Sequence, residues 1–437
     1  MKKLLISLLF ILILLPSINY AFMEINCPNA VLIDASNGRV LYEKEAYSQA
    51  FPASTTKIMT ALLALEKTSL EEPVKASATA INSVPSDGSS AYIQVGETFA
   101  VEDLLKCLLL VSGNDAANVL AEHIGGSIGN FVTMMNEKAK EIGCKGTHFV
   151  NANGLDDDNH YTTAYDLSIM YMYAYNNYPD FERILKLSSF SLPATDIYKK
   201  DDRVFTNTNR LFFEKESSDG HSYYYPYCTG GKTGYTSKAK NCFVASASKN
   251  DIDLIVCVLG GDKNTDNSSQ RYNDTITLFN YGFERLVKKE LVRSGDYINS
   301  VPVKNSKKSK DKLEIVTSKP LITNVDSFFN IDNLKTTINI DEELEAPIEV
   351  GQKVGTAVYS LYDEDYTIDL VARNKIERKP DITFFGVLSA ILVFLLRAAV
   401  VVGIIILIGR FYNKVLYKKK RKTRAHNVRR YNARFHK

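Results

Sequence analysis

Apolar positions along this chain change period several times, and each change marks an expected element. Residues 4–15 form an apolar stretch behind Lys2 and Lys3 and ahead of Pro16 and the small Ala21. That layout predicts a secretory signal peptide over 1–21; an uncleaved anchor stays open, because Asn19 fits poorly two residues before the cleavage point. Residues 30–34 and 39–42 then flank Asn37-Gly38, a pair that suits the positive φ of a tight hairpin turn. Behind Pro52, the residues Ile58, Met59, Leu62, Leu63 and Leu65 repeat at helical spacing and predict a mostly buried helix beginning near Ala53. Residues 101–124 are leucine-rich and 130–142 are amphipathic, so the middle of the chain reads as helical.

A second antiparallel set of strands is predicted at 229–236, 241–248 and, after Lys249-Asn250-Asp251, 254–260, and a helix over 272–291 is expected to cover it. A lysine- and serine-rich linker at 305–312 leads to short alternating segments at 337–340, 355–359 and 366–371, the pattern of a small all-β domain. Near the end, 19 of the 28 residues in 382–409 are Ile, Leu, Val or Phe, and Arg397 is the single charge. A central arginine costs about 2.5–3.5 kcal/mol on an insertion scale, while each central apolar residue returns roughly 0.3–0.6 kcal/mol, so a transmembrane helix is predicted. An interfacial helix or hairpin broken at Arg397 is the alternative.

Charge changes this picture more than overall composition does. The 437 residues carry 53 basic and 50 acidic side chains, a net charge of +3. Residues 410–437 hold 12 of the basic groups and no acid, so a body of charge −9 precedes a tail of charge +12. The positive-inside rule then puts the tail in the cytoplasm and the body outside the cell membrane. Directly after a membrane span, such a tail is expected to meet anionic lipid rather than nucleic acid. The six cysteines include no C-x-x-C pair, and Cys107 and Cys257 lie in apolar runs, so no disulfide framework is expected. None of the six histidines stands in an H-E-x-x-H arrangement, which leaves a zinc peptidase without ligands. The acidic run Asp156, Asp157, Asp158 lacks the spacing of a calcium loop and reads, with Asn159 and His160, as a solvated loop.

Three short strings carry the chemistry, in the order Ser54-Thr55-Thr56-Lys57, Ser112-Gly113-Asn114 and Lys232-Thr233-Gly234. They supply a nucleophile with an amine base, a second hydroxyl with an amide, and a cationic strand edge that can hold a carboxylate. Together they point to acyl transfer. S-x-x-K also begins at Ser237, Ser246 and Ser309, but those copies lie in polar, lysine-rich turns. Ser54 opens a predicted buried helix, where residues three apart share a face and Lys57 can reach its hydroxyl.

These motifs, with the surrounding segments FPASTTK, VSGNDAANVLAEHIGG, THFVNANGLDDDNHYTTAYDL and GGKTGYTSKAKNCFVASAS, resemble the low-molecular-mass penicillin-binding proteins, the serine-type D-alanyl-D-alanine carboxypeptidases. The likeness runs over roughly residues 27–373. It implies an α/β (α+β) penicillin-binding/β-lactamase-like catalytic domain with an antiparallel sheet and a helical half, a small all-β domain after it, and a membrane anchor. The expected organisation is a signal peptide at 1–21, a catalytic domain at 22–292, a β-rich stalk at 293–375, a transmembrane helix at 382–409 and a cytoplasmic tail at 410–437. Ser54 would attack the penultimate D-alanine carbonyl with Lys57 as base, and Ser112 would relay a proton to the leaving amine. Asn114 would bind the substrate's peptide, while Lys232, Thr233 and Arg271 hold its terminal carboxylate. Gly234 and Tyr235 join the binding strand, and the N–H groups of Ser54 and Tyr235 would form the oxyanion hole. Peptidoglycan stem peptides and β-lactams are the implied partners, with no cofactor or metal and no nucleic acid.

Other readings keep part of this set. An endopeptidase or transpeptidase would use the same residues on other peptides. A class A β-lactamase needs a deacylating glutamate, and the nearest analogue, Glu182, is followed four residues on by Lys186 rather than asparagine. A non-catalytic penicillin receptor would need slow deacylation and a signalling tail.

Overall fold

The hairpin at Asn37-Gly38 forms, with strands Asn29–Asp34 and Val40–Lys44 paired antiparallel. It is one edge of the sheet on which the site is built. The computed structural model describes residues 23–213, 215–307, 312–380 and 384–432, so the expected signal peptide lies outside the described residues, as do 308–311 of the linker. Two compact units are present. The first comprises the described chain through Val292 together with Leu321–Lys335 and Ser360–Glu364.

In that first unit a five-stranded sheet runs in the order Val40–Lys44, Asn29–Asp34, Ile252–Gly261, Lys240–Lys249, Cys228–Thr236. Its neighbours pair antiparallel. Successive side chains point to opposite faces, so Val31 and Ile33 enter one core while Ala30 and Leu32 enter the other. The first core is closed by Ile58, Met59 and Leu62 of the helix Lys57–Lys67 and by the helices Val101–Leu110 and Asn114–Gly125. The second is closed by Tyr272, Leu278 and Phe279 of the helix Gln270–Arg285. Burial on both faces explains why the inner strands Asn29–Asp34 and Ile252–Gly261 carry nearly continuous apolar runs.

Two differences from the sequence pattern have clear causes. The leucine-rich stretch 101–124 is two helices, broken where Ser112 takes a φ of 64° and the Gly113 N–H turns back to the Cys107 carbonyl at 2.9 Å. The covering helix stops at Arg285, and Leu286–Val292 is instead a strand paired antiparallel with Leu321–Asp326. Leu286 and Val292 are buried while Lys288, Lys289 and Glu290 stay exposed, a spacing compatible with either element until a partner strand supplies hydrogen bonds. The six cysteines are all free, five of them buried, and His160 is buried rather than solvated with its acidic neighbours.

The second unit holds a five-stranded sheet in the order Tyr297–Pro302, Lys312–Thr317, Glu364–Ala372, Lys353–Leu361, Lys335–Ile340. Leu313, Ile315, Val354, Ala357, Ile368 and Leu370 form its interior. The helix Phe384–Asn432 is continuous through Arg397. Among the described residues it is the one helix long and apolar enough to cross a membrane. At 1.5 Å per residue its 49 residues span about 74 Å, well beyond the ~30 Å hydrocarbon core, so its basic C-terminal part outlasts the apolar segment.

Candidate active site

Ser54 stands in the 3-10 turn Ala53–Thr56, directly before the helix Lys57–Lys67. Ala53 carries a φ of 48°, a left-handed conformation uncommon for a residue with a Cβ. Neighbouring backbone presses on this turn from two sides. A Cβ at Gly154 would sit 1.9 Å from the Ala53 carbonyl oxygen, and one at Gly234 would sit 3.1 Å from the Ser54 nitrogen. Gly234 therefore lets the edge strand Cys228–Thr236 run against the nucleophile's turn.

The Lys57 side chain is fully buried, with Nζ 2.9 Å from Ser54 Oγ, 2.7 Å from Asn114 Oδ1 and 2.6 Å from the Asn153 carbonyl oxygen. The last two atoms can only accept. A neutral amine has two N–H groups, which these acceptors take, leaving its lone pair directed at the Ser54 hydroxyl. Burial is the largest cause holding the Lys57 ammonium well below its usual range, followed by the charge of Lys232, against an opposing pull from Asp115. The arrangement can therefore withdraw the serine proton.

Ser112 occupies the bend between two helices, 7% exposed, and its Oγ has no hydrogen-bond partner among the described residues. Asn114 begins the following helix, and its N–H donates to the Ser89 carbonyl at 2.8 Å. On the edge strand, Lys232 is fully buried and its Nζ donates to the Thr233 carbonyl at 2.8 Å. Burial, then the Arg271 charge, lowers its pKa to about 7. Thr233 Oγ1 lies 2.8 Å from Thr208 Oγ1, and Tyr235 is 62% exposed. Arg271, in the first turn of the helix Gln270–Arg285, donates from Nη1 to the Gly234 carbonyl at 3.3 Å, and its buried Nε has no partner among the described residues.

Ser54, Ser112, Asn114, Thr233, Gly234, Tyr235 and Arg271 line one cleft of about 500 Å³, with Lys57 and Lys232 buried beside it. A larger cavity of about 940 Å³, lined by Tyr281, Arg285, Phe328 and Tyr362 among others, contains no paired nucleophile and base. Chemistry, not size, selects the cleft.

The family described as D-alanyl-D-alanine carboxypeptidase matches residues 17–263. The chain belongs to this family. Residues 287–378 match the C-terminal domain of penicillin-binding protein 5. The chain is similar to the D-alanyl-D-alanine carboxypeptidase DacF of Bacillus subtilis, 32% identical over 410 residues, covering 89% of this chain and 97% of that protein. It is 28% identical over 354 residues to DacA of Haemophilus influenzae, covering 78% and 83% of the two chains. A solved structure of a peptidoglycan synthesis regulatory factor (PBP3) from Streptococcus pneumoniae superposes with a TM-score of 0.66 at 27% identity, covering 81% of this chain and all of that one. Peptidoglycan and β-lactams are the ligands expected of such carboxypeptidases.

Several residues in and behind this carboxypeptidase's cleft escaped the sequence reading. Asn153 offers its carbonyl to Lys57 and donates from Nδ2 to Asn118 Oδ1 at 3.1 Å, and Asn118 donates in turn to Ser83 Oγ at 3.0 Å. His160 accepts from the Val150 N–H on Nδ1, so its Nε2–H donates to Thr56 Oγ1 at 2.8 Å, and burial lowers its pKa to about 4. Asp87 and Arg210 line the cleft with exposed side chains. N-A-N-G around Asn153 was the one signal available: it is a turn composition too common to select.

Proposed function

We propose that this D-alanyl-D-alanine carboxypeptidase removes the terminal D-alanine from peptidoglycan stem pentapeptides through an acyl-enzyme on Ser54. The observation that carries the reading is the Lys57 amine, desolvated and bracketed by two pure acceptors, with the Ser54 hydroxyl as its third neighbour. Ser54 Oγ attacks the penultimate carbonyl carbon as its proton passes to Lys57 Nζ. The resulting oxyanion meets the N–H groups of Ser54 and Tyr235. The C–N bond then breaks as Ser112 relays the proton held on Lys57 Nζ to the departing amine, and D-alanine leaves with Lys57 neutral again. Water, deprotonated by Lys57, hydrolyses the ester and restores Ser54. Lys232, Thr233 and Arg271 hold the terminal carboxylate, and Asn114 the donor's peptide group. β-Lactams, which acylate the same serine, are covalent inhibitors on this reading.

The β-lactamase alternative lacks its carboxylate. Glu182 is bound to Lys186 Nζ at 2.7 Å and to the Tyr175 hydroxyl at 3.2 Å, and it does not line the cleft.

The rest of the chain serves delivery. Residues 1–21 act as a signal peptide, 22–292 form the catalytic domain, 293–375 a stalk, 382–409 the membrane span and 410–437 a cytoplasmic tail on anionic lipid. Supporting this are the apolar helix and the tail's 12 basic residues. The decisive test is mass spectrometry of a defined pentapeptide incubated with the detergent-solubilised chain. Loss of one alanine supports the carboxypeptidase; cleavage only of cross-linked dimers, or transfer to an acceptor amine, replaces it with an endopeptidase or transpeptidase. Protease added from outside intact cells should spare the tail, and its removal would overturn the topology.

A further inference from the structure

Asp87 is the one carboxylate among the described residues that line the cleft. Its side chain is exposed and makes no hydrogen bond or ion pair with another described residue. Its backbone is nonetheless held in place. The Gly88 N–H closes a turn on the Pro85 carbonyl at 3.0 Å, and the Ser89 carbonyl accepts from the Asn114 N–H at 2.8 Å. Just beyond, the Asp115 carboxylate accepts from the N–H groups of Ala91 at 2.9 Å and Ile93 at 3.1 Å and from Ser90 Oγ at 2.6 Å. Asp87 thus precedes a fixed loop beside Asn114, the residue assigned to the donor's peptide group.

The cations of the cleft stand elsewhere. Arg271 bonds to the Gly234 carbonyl, and Arg210 follows Thr208, whose hydroxyl meets that of Thr233. Neither guanidinium pairs with Asp87, so the cleft is polarised. On the carboxypeptidase reading, the guanidinium side is where the terminal carboxylate is taken, and the free charge of Asp87 stands ahead of the loop bonded to Asn114, the residue assigned to the donor's peptide group. Such an arrangement attracts an ammonium on the donor side and repels an anion there.

We propose that Asp87 is a specificity-determining residue that takes the free side-chain ammonium of the diamino acid preceding D-alanyl-D-alanine in the donor peptide. This rests on the carboxypeptidase reading above. The charge partner is solvent-accessible, so the effect should be modest and screened by salt.

The test compares two pentapeptides, one with that amine free and one with it N-acetylated, as kcat/KM ratios on the full-length enzyme in detergent. The wild type should prefer the free amine by about three- to tenfold at low salt, with the preference shrinking as ionic strength rises. In Asp87→Asn the ratio should fall to near one, and in Asp87→Lys the acetylated peptide should become the better substrate. Ratios within one preparation do not depend on how much of it is folded. D-Alanine released from both peptides at the same rate by the wild type, or an unchanged preference in Asp87→Asn, would overturn this inference alone. Release from neither peptide would overturn the carboxypeptidase reading and this inference with it.

Discussion

Two lysines flank the cleft, and the same force acts on both while their neighbours give them opposite capacities. Lys57 and Lys232 are fully buried, and desolvation is the first cause of the lowered pKa of each. Lys57 meets two pure acceptors and a hydroxyl, so its neutral form has a use for every N–H and its lone pair. Lys232 donates to a backbone carbonyl beside Arg271 and lies under the strand edge. Burial alone makes a lysine able to lose its proton; the acceptors around it decide whether that loss becomes general-base chemistry or the residue stays a reader of negative charge.

The sharpest way to break this comparison starts at the nucleophile. Ser54→Ala should abolish both D-alanine release and labelling by a fluorescent penicillin, with the circular dichroism spectrum retained. Persistent labelling would move the chemistry to another serine. Lys57→Ala should lower kcat by about 10²–10⁴-fold, the usual worth of a general base.

Exchanging each lysine for arginine separates the two roles directly. A guanidinium stays protonated, so Lys57→Arg should be as inactive as Lys57→Ala, whereas Lys232→Arg should retain more activity than Lys232→Ala. Equal tolerance at both positions, read from steady-state rates, would mean that Lys57 acts through charge.

Amidating the substrate's C-terminus probes the Lys232 end. A charge-assisted hydrogen bond contributes roughly 1.5–3 kcal/mol, so kcat/KM should fall about ten- to a hundredfold, and Arg271→Ala should shrink that discrimination. Equal cleavage of acid and amide would remove the carboxylate site and favour cross-link cleavage.

The smallest effect is a shift in pH profile. If Lys232 holds the terminal carboxylate as proposed, free-acid substrate needs it protonated, so kcat/KM should decline as pH rises through about 7, the value to which burial and Arg271 lower it in the free enzyme. Arg271→Ala removes one lowering cause, so this alkaline limb should move to higher pH. A limb that stayed in place or moved to lower pH would show that another group sets it.

Much of this was legible in the chain. The Asn37-Gly38 hairpin, the helix behind Ser54 and the strands on either side of Ala239 announce themselves by period and turn chemistry, because both are local properties. The strand Leu286–Val292 was not, since its pattern suits a helix until Leu321–Asp326 pairs with it. Asn153 was not either, because what it gives Lys57 is a backbone carbonyl, which any residue type possesses. Asp87 and Arg210 were hidden for a related reason: a surface charge becomes notable only when it lines a cleft.

By itself the sequence determined the catalytic alphabet, its family and the apolar stretch of the C-terminal helix, since residue identity, order and hydropathy are properties of the covalent chain. Tertiary structure alone brought Asn114 and Asn153 to the Lys57 amine, from 57 and 96 residues away. It also set the left-handed bend at Ser112, a conformation serine does not favour, so that only surrounding packing holds it there. The lowered pKa of Lys57 belongs to the same class, because desolvation comes from the atoms around a group and not from the group's own chemistry.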